Sequence, residues 1–270
     1  MKINQVLTIA GSDSGGGAGI QADLKTFQMR KVFGTSVITA ITAQNTTGVF
    51  DIHPIPLTTI ESQLKAIADD FDINAFKIGM LGTADVIDCV ANALQKYHFG
   101  KLVLDPVMIA KGGTSLLQEN AITALKQKLL PFADVLTPNL PETKVLTGID
   151  VVDEKTALTA SLILQDMGVK AVLIKGGHTE HFAGNTSNDW FFNNGTCITL
   201  TAKRFDTPHT HGTGCTLSAA ITAELAKGQS IENAVRTAKQ FISAAISHPL
   251  NIGSQHGPVN HWAYGEENEI

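Results

Sequence analysis

The chain reads as an α/β protein, a three-layer α/β/α arrangement with a mostly parallel central sheet, and three observations predict it. Short apolar runs alternate with amphipathic stretches from the first residues onward, as successive strand and helix units do. Polar or backbone-permissive residues follow each run directly, where open α/β sheets collect their ligands. Hydrophobic residues make up 43% of the 270 and charged residues 17%, which supplies a sizeable core and too little charge for a solvated tail. One domain over residues 1–270 is expected, since no Pro/Ser-rich linker, low-complexity block or repeat interrupts the pattern.

The elements follow in order. A strand over Gln5 to Ala10 ends at Gly11-Ser12-Asp13, and a glycine-rich loop, Ser14 to Gly19, feeds a helix starting near Ala18. A strand over Val37 to Ala43 ends at Gln44-Asn45-Thr46. Ile60, Leu64, Ile67, Ala68 and Phe71 keep the three-and-four spacing of a buried helix face. Strands over Ala75 to Ile78, Leu102 to Leu104, Val135 to Leu136 and Ala171 to Ile174 end at Gly79-Met80, Asp105-Pro106, Thr137-Pro138-Asn139 and Lys175-Gly176-Gly177. Trp190 to Ile198 predicts a small β-hairpin, near 189–201, because Asn194-Gly195 supplies the positive φ angles of a tight turn between β-prone residues. A helix over Leu217 to Leu225 closes near Lys227-Gly228, and Ala234, Ala238, Phe241, Ile242 and Ala245 mark another.

Several function classes are excluded. Twenty Lys and Arg against 25 Asp and Glu leave a net charge of −5, so no summed positive field attracts a nucleic-acid backbone and any phosphate must be captured locally. Val6 to Ala10 is too short for a signal-peptide core, and no segment approaches the roughly 20 apolar residues of a membrane span. Three widely separated cysteines, Cys89, Cys197 and Cys215, fit reduced thiols, and a cytoplasmic location is expected. The glycine-rich loop begins too far after its strand for a dinucleotide fingerprint, and no acid lies between Lys31 and Phe50 to bind a ribose. Gly100-Lys101 is followed by Leu102 instead of Ser or Thr, so there is no P-loop.

The strongest local signal is His211-Gly212-Thr213-Gly214-Cys215-Thr216, which runs into a helix. Glycines directly before a helix let successive N–H groups converge on one anion at the positive end of the helix dipole. Cys215 in that first turn is expected to have a lowered thiol pKa and so to accept a proton from a hydroxyl, although cysteine is commonly a small buried hydrophobe, the reading favoured were the neighbouring glycines absent. In Thr137-Pro138-Asn139-Leu140-Pro141-Glu142, Asn139 and Glu142 lie three apart at a helix start. With Asp105 they offer the oxygen contacts a water-rich magnesium ion requires, or they simply cap the helix. His209, His211 and Cys215 lack the spacing of a zinc site, and His178 and His181 read as solvated loop residues.

Taken together, Ala10 to Thr26, Thr42 to Thr46, Lys77 to Leu81, Leu104 to Met108, Thr137 to Glu142, Lys175 to His178 and His211 to Thr216 resemble the bacterial hydroxymethylpyrimidine and phosphomethylpyrimidine kinases of thiamine biosynthesis. The match spans nearly the whole chain in order and implies a ribokinase-like fold. It implies transfer of the ATP γ-phosphoryl to 4-amino-5-hydroxymethyl-2-methylpyrimidine and then to its monophosphate. It places Gln44 against the pyrimidine edge, with Asp23, Gly11, Met80 and Val107 lining the pocket. It also implies Cys215 as proton acceptor within a phosphoryl cradle of Gly212, Thr213, Gly214 and Cys215. Asp105 and Glu142 would orient Mg2+, and Asn139, Lys175, Gly177 and Thr213 would meet ATP. A homodimer is expected from the family. Cys215 stands where many members of the larger superfamily have Asp, a pattern typical of the pyrimidine and related pyridoxal kinases.

Three rivals remain at this point. A pyridoxal or pyridoxine kinase demands similar geometry, although Gln44-Asn45-Thr46 favours the pyrimidine. A thiol hydrolase using Cys215 with His209 or His211 would react without ATP and leave Asp105 and Glu142 no task. A catalytically silent pyrimidine-binding module would bind without consuming ATP.

Overall fold

The computed structural model describes residues 2–108, 119–177 and 185–266. His178 and His181 lie outside the described residues. The elements run β1 (Gln5–Ala10), α1 (Gly19–Met29), β2 (Phe33–Ile38), β3 (Ala40–Asn45), β4 (Gly48–Pro54), α2 (Leu57–Asp70), β5 (Ile73–Ile78), α3 (Ala84–Lys96), β6 (Lys101–Leu104), α4 (Glu119–Lys128), β7 (Val135–Leu136), α5 (Leu140–Thr147), α6 (Glu154–Asp166), β8 (Ala171–Ile174), β9 (Thr186–Asn193), β10 (Thr196–Lys203), α7 (Thr213–Ala226), α8 (Ile231–Ser247) and α9 (Ala263–Glu266).

An eight-stranded sheet of order β10-β9-β8-β7-β6-β5-β1-β2 forms the middle layer. Its strands are parallel from β2 to β8, and β9 and β10 continue it antiparallel. Alternation along each strand feeds two cores. Leu7 and Ile9, Phe76 and Ile78, and Leu102 and Leu104 face α2 to α6, whereas Val6, Ala75 and Val103 face α1, α7 and α8. The fold class read from the sequence is therefore found, with helices on both faces of a mostly parallel sheet.

The chain leaves β1 for β2 on one side and returns to β5 on the other. Strand order reverses at β1, which opens a crevice at the carboxyl ends of β1 and β5, where α/β sheets bind ligands.

Two expectations change. The run expected as one strand over Val37 to Ala43 divides at Thr39. There the Thr39 N–H donates to the Ala10 carbonyl and the Ser12 N–H donates to the Ala40 carbonyl, so the chain crosses the end of β1 and leaves the main sheet. Beyond this crossing β3 pairs with β4, a strand the sequence reading did not mark, as a separate two-stranded sheet. The hairpin expected near 189–201 is present as β9 and β10, turning at Asn194 (φ 48°) and Gly195 (φ 74°). It is not a separate appendage: β9 pairs with β8, and Trp190, Phe191 and Phe192 are all buried.

Candidate active site

A cavity of about 970 Å³ lies along the carboxyl ends of the strands. Gly11, Gln44, Met80, Val107, Asp105, Asn139, Glu142, Lys175, Gly177, Gly212, Thr213, Gly214 and Cys215 all line it. Thus thirteen residues singled out from scattered motifs line one cavity.

Asp23 does not. It is fully buried on α1, where it accepts hydrogen bonds from the Lys77 ammonium and from the Thr8 hydroxyl at 2.6 Å. The expectation that it lines the substrate pocket is corrected: its carboxylate turns inward to a lysine partner 54 positions away on β5.

Asp13 organises the glycine-rich loop. Its carboxylate accepts from the N–H groups of Gly15 (2.8 Å), Gly17 (3.1 Å) and Ala18 (2.8 Å), and pairs with His211 Nε2 at 2.8 Å. Burial works against that charge, but His211 and the loop N–H groups outweigh it and hold the carboxyl below its ordinary value. Gln44 Nε2 stands 3.3 Å from the same His211 nitrogen, which ties the Gln44 side chain to the turn before α7. The Thr42 hydroxyl lies 3.3 Å from Gln44 Oε1.

That turn is built close. Gly212 adopts φ +81°, and a Cβ there would lie 1.7 Å from the Gly17 carbonyl oxygen. Only glycine fits both demands. Its neighbour His211 is fixed from the C-terminal side, donating its N–H to the Gly257 carbonyl and accepting from the Val259 N–H.

Facing the turn is a buried charge pair. Lys175 Nζ reaches Asp105 Oδ1 at 2.9 Å, and Asp105 also accepts from the Thr137 hydroxyl at 3.2 Å. A Cβ on Gly214 would stand 3.4 Å from the Lys175 ammonium and 3.5 Å from Asp105 Oδ2. The first turn of α7 therefore sits directly over the pair. Burial opposes the Asp105 charge, yet Lys175 and Lys77 hold its carboxyl below the usual range. Lys175 is likewise disfavoured by burial and held above its ordinary value by Asp105 and Glu142.

Asn139 and Glu142 form a capping box on α5: Asn139 Oδ1 accepts from the Glu142 N–H at 2.9 Å, and Glu142 Oε2 accepts from the Asn139 N–H at 2.8 Å. Both also line the cavity, so the helix-cap reading and the site reading coexist. Burial pushes the Glu142 carboxyl up to about 7, with Lys175 opposing and the Asp105 charge adding to the rise.

The expected low thiol pKa of Cys215 is overturned. Burial pushes it up to about 11; Lys77 opposes this, while the Asp23 and Asp105 charges add to it. Desolvation and the two nearby carboxylates outweigh the pull of Lys77 there.

The sequence reading did not connect to the cavity Arg204, Phe205 and Asp206, which follow β10, nor Ser243 and Ile246 on α8, and it took Ile242 on the same helix for core only. These residues carry no motif: the end of β10 and the face of α8, both packed onto the sheet from elsewhere in the chain, bring them there. It also left Lys77 without a role, although a lysine inside the apolar run Ala75 to Ile78 is itself a signal of a buried ion pair.

The three-layer fold, with its cavity at the carboxyl ends of the strands, agrees with the ribokinase-like kinase class that the resemblance implies. A family model described as phosphomethylpyrimidine kinase matches residues 13–260. The hydroxymethylpyrimidine/phosphomethylpyrimidine kinase of Haemophilus influenzae is 65% identical over 97% of this chain and 98% of its own. The chain belongs to the phosphomethylpyrimidine kinase family. Among solved structures, the Staphylococcus aureus pyridoxal kinase in complex with AMP-PCP superposes with a TM-score of 0.90 at 37% identity, covering 100% of this chain and 96% of that one. The phosphomethylpyrimidine kinase of Clostridium difficile gives a TM-score of 0.80 at 42% identity, covering 91% of this chain and 100% of that one.

Proposed function

We propose that this chain is a phosphotransferase that moves the γ-phosphoryl of ATP to the hydroxymethyl group of 4-amino-5-hydroxymethyl-2-methylpyrimidine. A second transfer, to the monophosphate, gives the pyrophosphate used in thiamine biosynthesis. The observation that carries the reading is the stacking of Gly214 over the Asp105–Lys175 pair, which sets amide donors and a lysine around one point in the cavity.

In this reading Gln44 meets the polar edge of the ring, with Gly11, Met80 and Val107 around it. The amides from Gly212 to Cys215 gather the moving phosphoryl, where each well-aimed donor contributes about 3 kcal/mol. Thr213, Asn139, Lys175 and Gly177 meet the ATP phosphates. Cys215 is the proton acceptor in this reading and acts as its thiolate: burial keeps the thiol protonated at rest, so its own proton must first pass to water in the open cavity before the hydroxyl proton is received. Phosphoryl transfer tolerates so scarce an acceptor because alignment and charge stabilisation carry most of the barrier reduction.

Magnesium fits the donor set as a water-rich ion. Asp105 and Glu142 offer oxygen only, and each already accepts hydrogen bonds from the protein, which favours contact through water. No group of three or more His, Cys, Asp or Glu among the described residues forms a cage. The ion would supply neutralising charge beside the phosphates.

We further propose a cytoplasmic homodimer. All three cysteines are free thiols, and among the described residues no helix is long and apolar enough to cross a membrane.

Pyridoxal is the rival alcohol, and the 65% identity to a pyrimidine kinase against 37% to a pyridoxal kinase favours the pyrimidine. Incubating purified protein with Mg-ATP and the pyrimidine alcohol, with products separated by mass, tests the proposal. Mono- and diphosphorylated pyrimidine are expected. ATP left unconsumed, or a kcat/KM favouring pyridoxal, would overturn it.

A further inference from the structure

Lys77 has no task in the reaction as described, yet its burial demands one. It lies on β5 among the apolar residues that face α1 and α7, and its side chain is fully buried. An isolated ammonium there would cost several kcal/mol, so the fold provides partners. Nζ donates to Asp23 Oδ1, and at 3.4 Å it reaches the main-chain carbonyl of Cys215 in the first turn of α7. Asp23 is held in turn by the Thr8 hydroxyl at 2.6 Å.

The chain of contacts continues past Cys215. The Ser218 hydroxyl lies 2.9 Å from the Gly214 carbonyl, 3.1 Å from the Cys215 carbonyl and 3.3 Å from Asp105 Oδ2. A buried polar ladder thus runs Thr8, Asp23, Lys77, Cys215 carbonyl, Ser218, Asp105, and joins β1 and α1 to the carboxylate beneath the turn. Burying such a ladder is worthwhile only if it is fully satisfied, and then it rigidifies what it touches.

The geometry points to Lys77 as a positioning residue: anchored by Asp23, it holds the Cys215 carbonyl from below and so fixes the aim of the amides from Gly212 to Cys215. This rests on the reading of that turn as the phosphoryl site. Two facts support it. Lys77 lines the cavity together with Cys215 and Asp105. Desolvation works against its charge, but the surrounding Asp23, Cys215 and Asp105 hold its proton above the usual lysine range. Lys77 does not touch the reacting atoms. It acts through the backbone of Cys215.

The test uses the full chain. Lys77→Met alone leaves Asp23 an uncompensated buried charge, so the working variant is Lys77→Met with Asp23→Asn, which removes both charges together. Hydrogen exchange of the peptide covering residues 210–218 is expected to accelerate about tenfold or more, with β8 and β9 unchanged. Turnover is expected to fall about a hundredfold with KM for the pyrimidine and for ATP nearly unmoved, because misaligned amides weaken the transition state alone. Lys77→Arg, which restores the cation, should recover most of the lost kcat. A folded double variant with wild-type exchange over 210–218, a raised KM with kcat intact, or an arginine as impaired as the neutral pair would each overturn the proposal. Failure of the wild-type protein to phosphorylate the pyrimidine would instead sink the functional reading and leave the exchange measurement standing.

Discussion

Gly212 and Gly17 meet backbone to backbone, so that a Cβ on Gly212 would lie 1.7 Å from the Gly17 carbonyl oxygen. This contact locks the glycine-rich loop after β1 against the turn that opens α7, and the Asp13–His211 pair at 2.8 Å closes the same junction from its polar side. The glycine-rich loop and the turn that opens α7 are therefore joined as one mechanical unit.

Gly212→Ala should therefore do more than strain one residue. The φ of +81° alone costs an alanine about 1–2 kcal/mol, and the collision with Gly17 forces the two loops apart. A drop in kcat/KM of about a hundredfold or more is expected. Gly228→Ala is the control: φ is +83° but nothing lies within 4 Å, so stability should fall by about 1–2 kcal/mol with activity unchanged. Equal loss of activity in both variants would dismiss the locking contact.

Cys215→Ala is expected to lower kcat by about 10²- to 10⁴-fold while ATP affinity, followed by calorimetry, stays near wild type. Because burial lifts the thiol to about 11, iodoacetamide at neutral pH should label exposed Cys197 well before Cys215. Unchanged turnover in the alanine variant would remove Cys215 from the reaction.

Lys175→Met leaves Asp105 buried without its closest cation and should cost about 3–5 kcal/mol in urea unfolding. Adding Asp105→Asn should recover a large part of that stability but none of the activity. Recovery of activity with stability would show the pair to be a fold element only.

His261 shares a hydrogen bond with the Thr216 hydroxyl at 3.0 Å, and burial first, then Lys25, depresses its pKa from 6.5 to about 4. The unfolded chain thus takes up a proton at a higher pH than the folded one. Stability is full above pH 6.5 and declines as pH falls toward 4, by about 3 kcal/mol if this group acts alone. His261→Gln should flatten the decline in a series of urea midpoints. An unaltered slope would assign it to other groups.

Periodicity and turn chemistry reach only so far along this chain. The β1, β6, β7 and β8 runs, the Asn194-Gly195 hairpin and the glycine-flanked start of α7 were legible, because each depends on neighbours within a few residues. So were thirteen cavity residues, since loops at strand ends share one edge of a parallel sheet. The break of the Val37–Ala43 run at Thr39 was not legible, because it is made by hydrogen bonds to Ala10 and Ser12, far away in sequence.

Sequence alone determined that strands alternate with helices and that glycines flank the start of a helix near Thr213. Tertiary structure decided which charges are neighbours. Asp23 turned inward to Lys77, Asp13 found His211, and the Cys215 thiol rose instead of falling. The physical reason is that backbone preference is local, whereas the protonation and role of an ionisable group depend on its burial and on partners brought to it from other strands and helices.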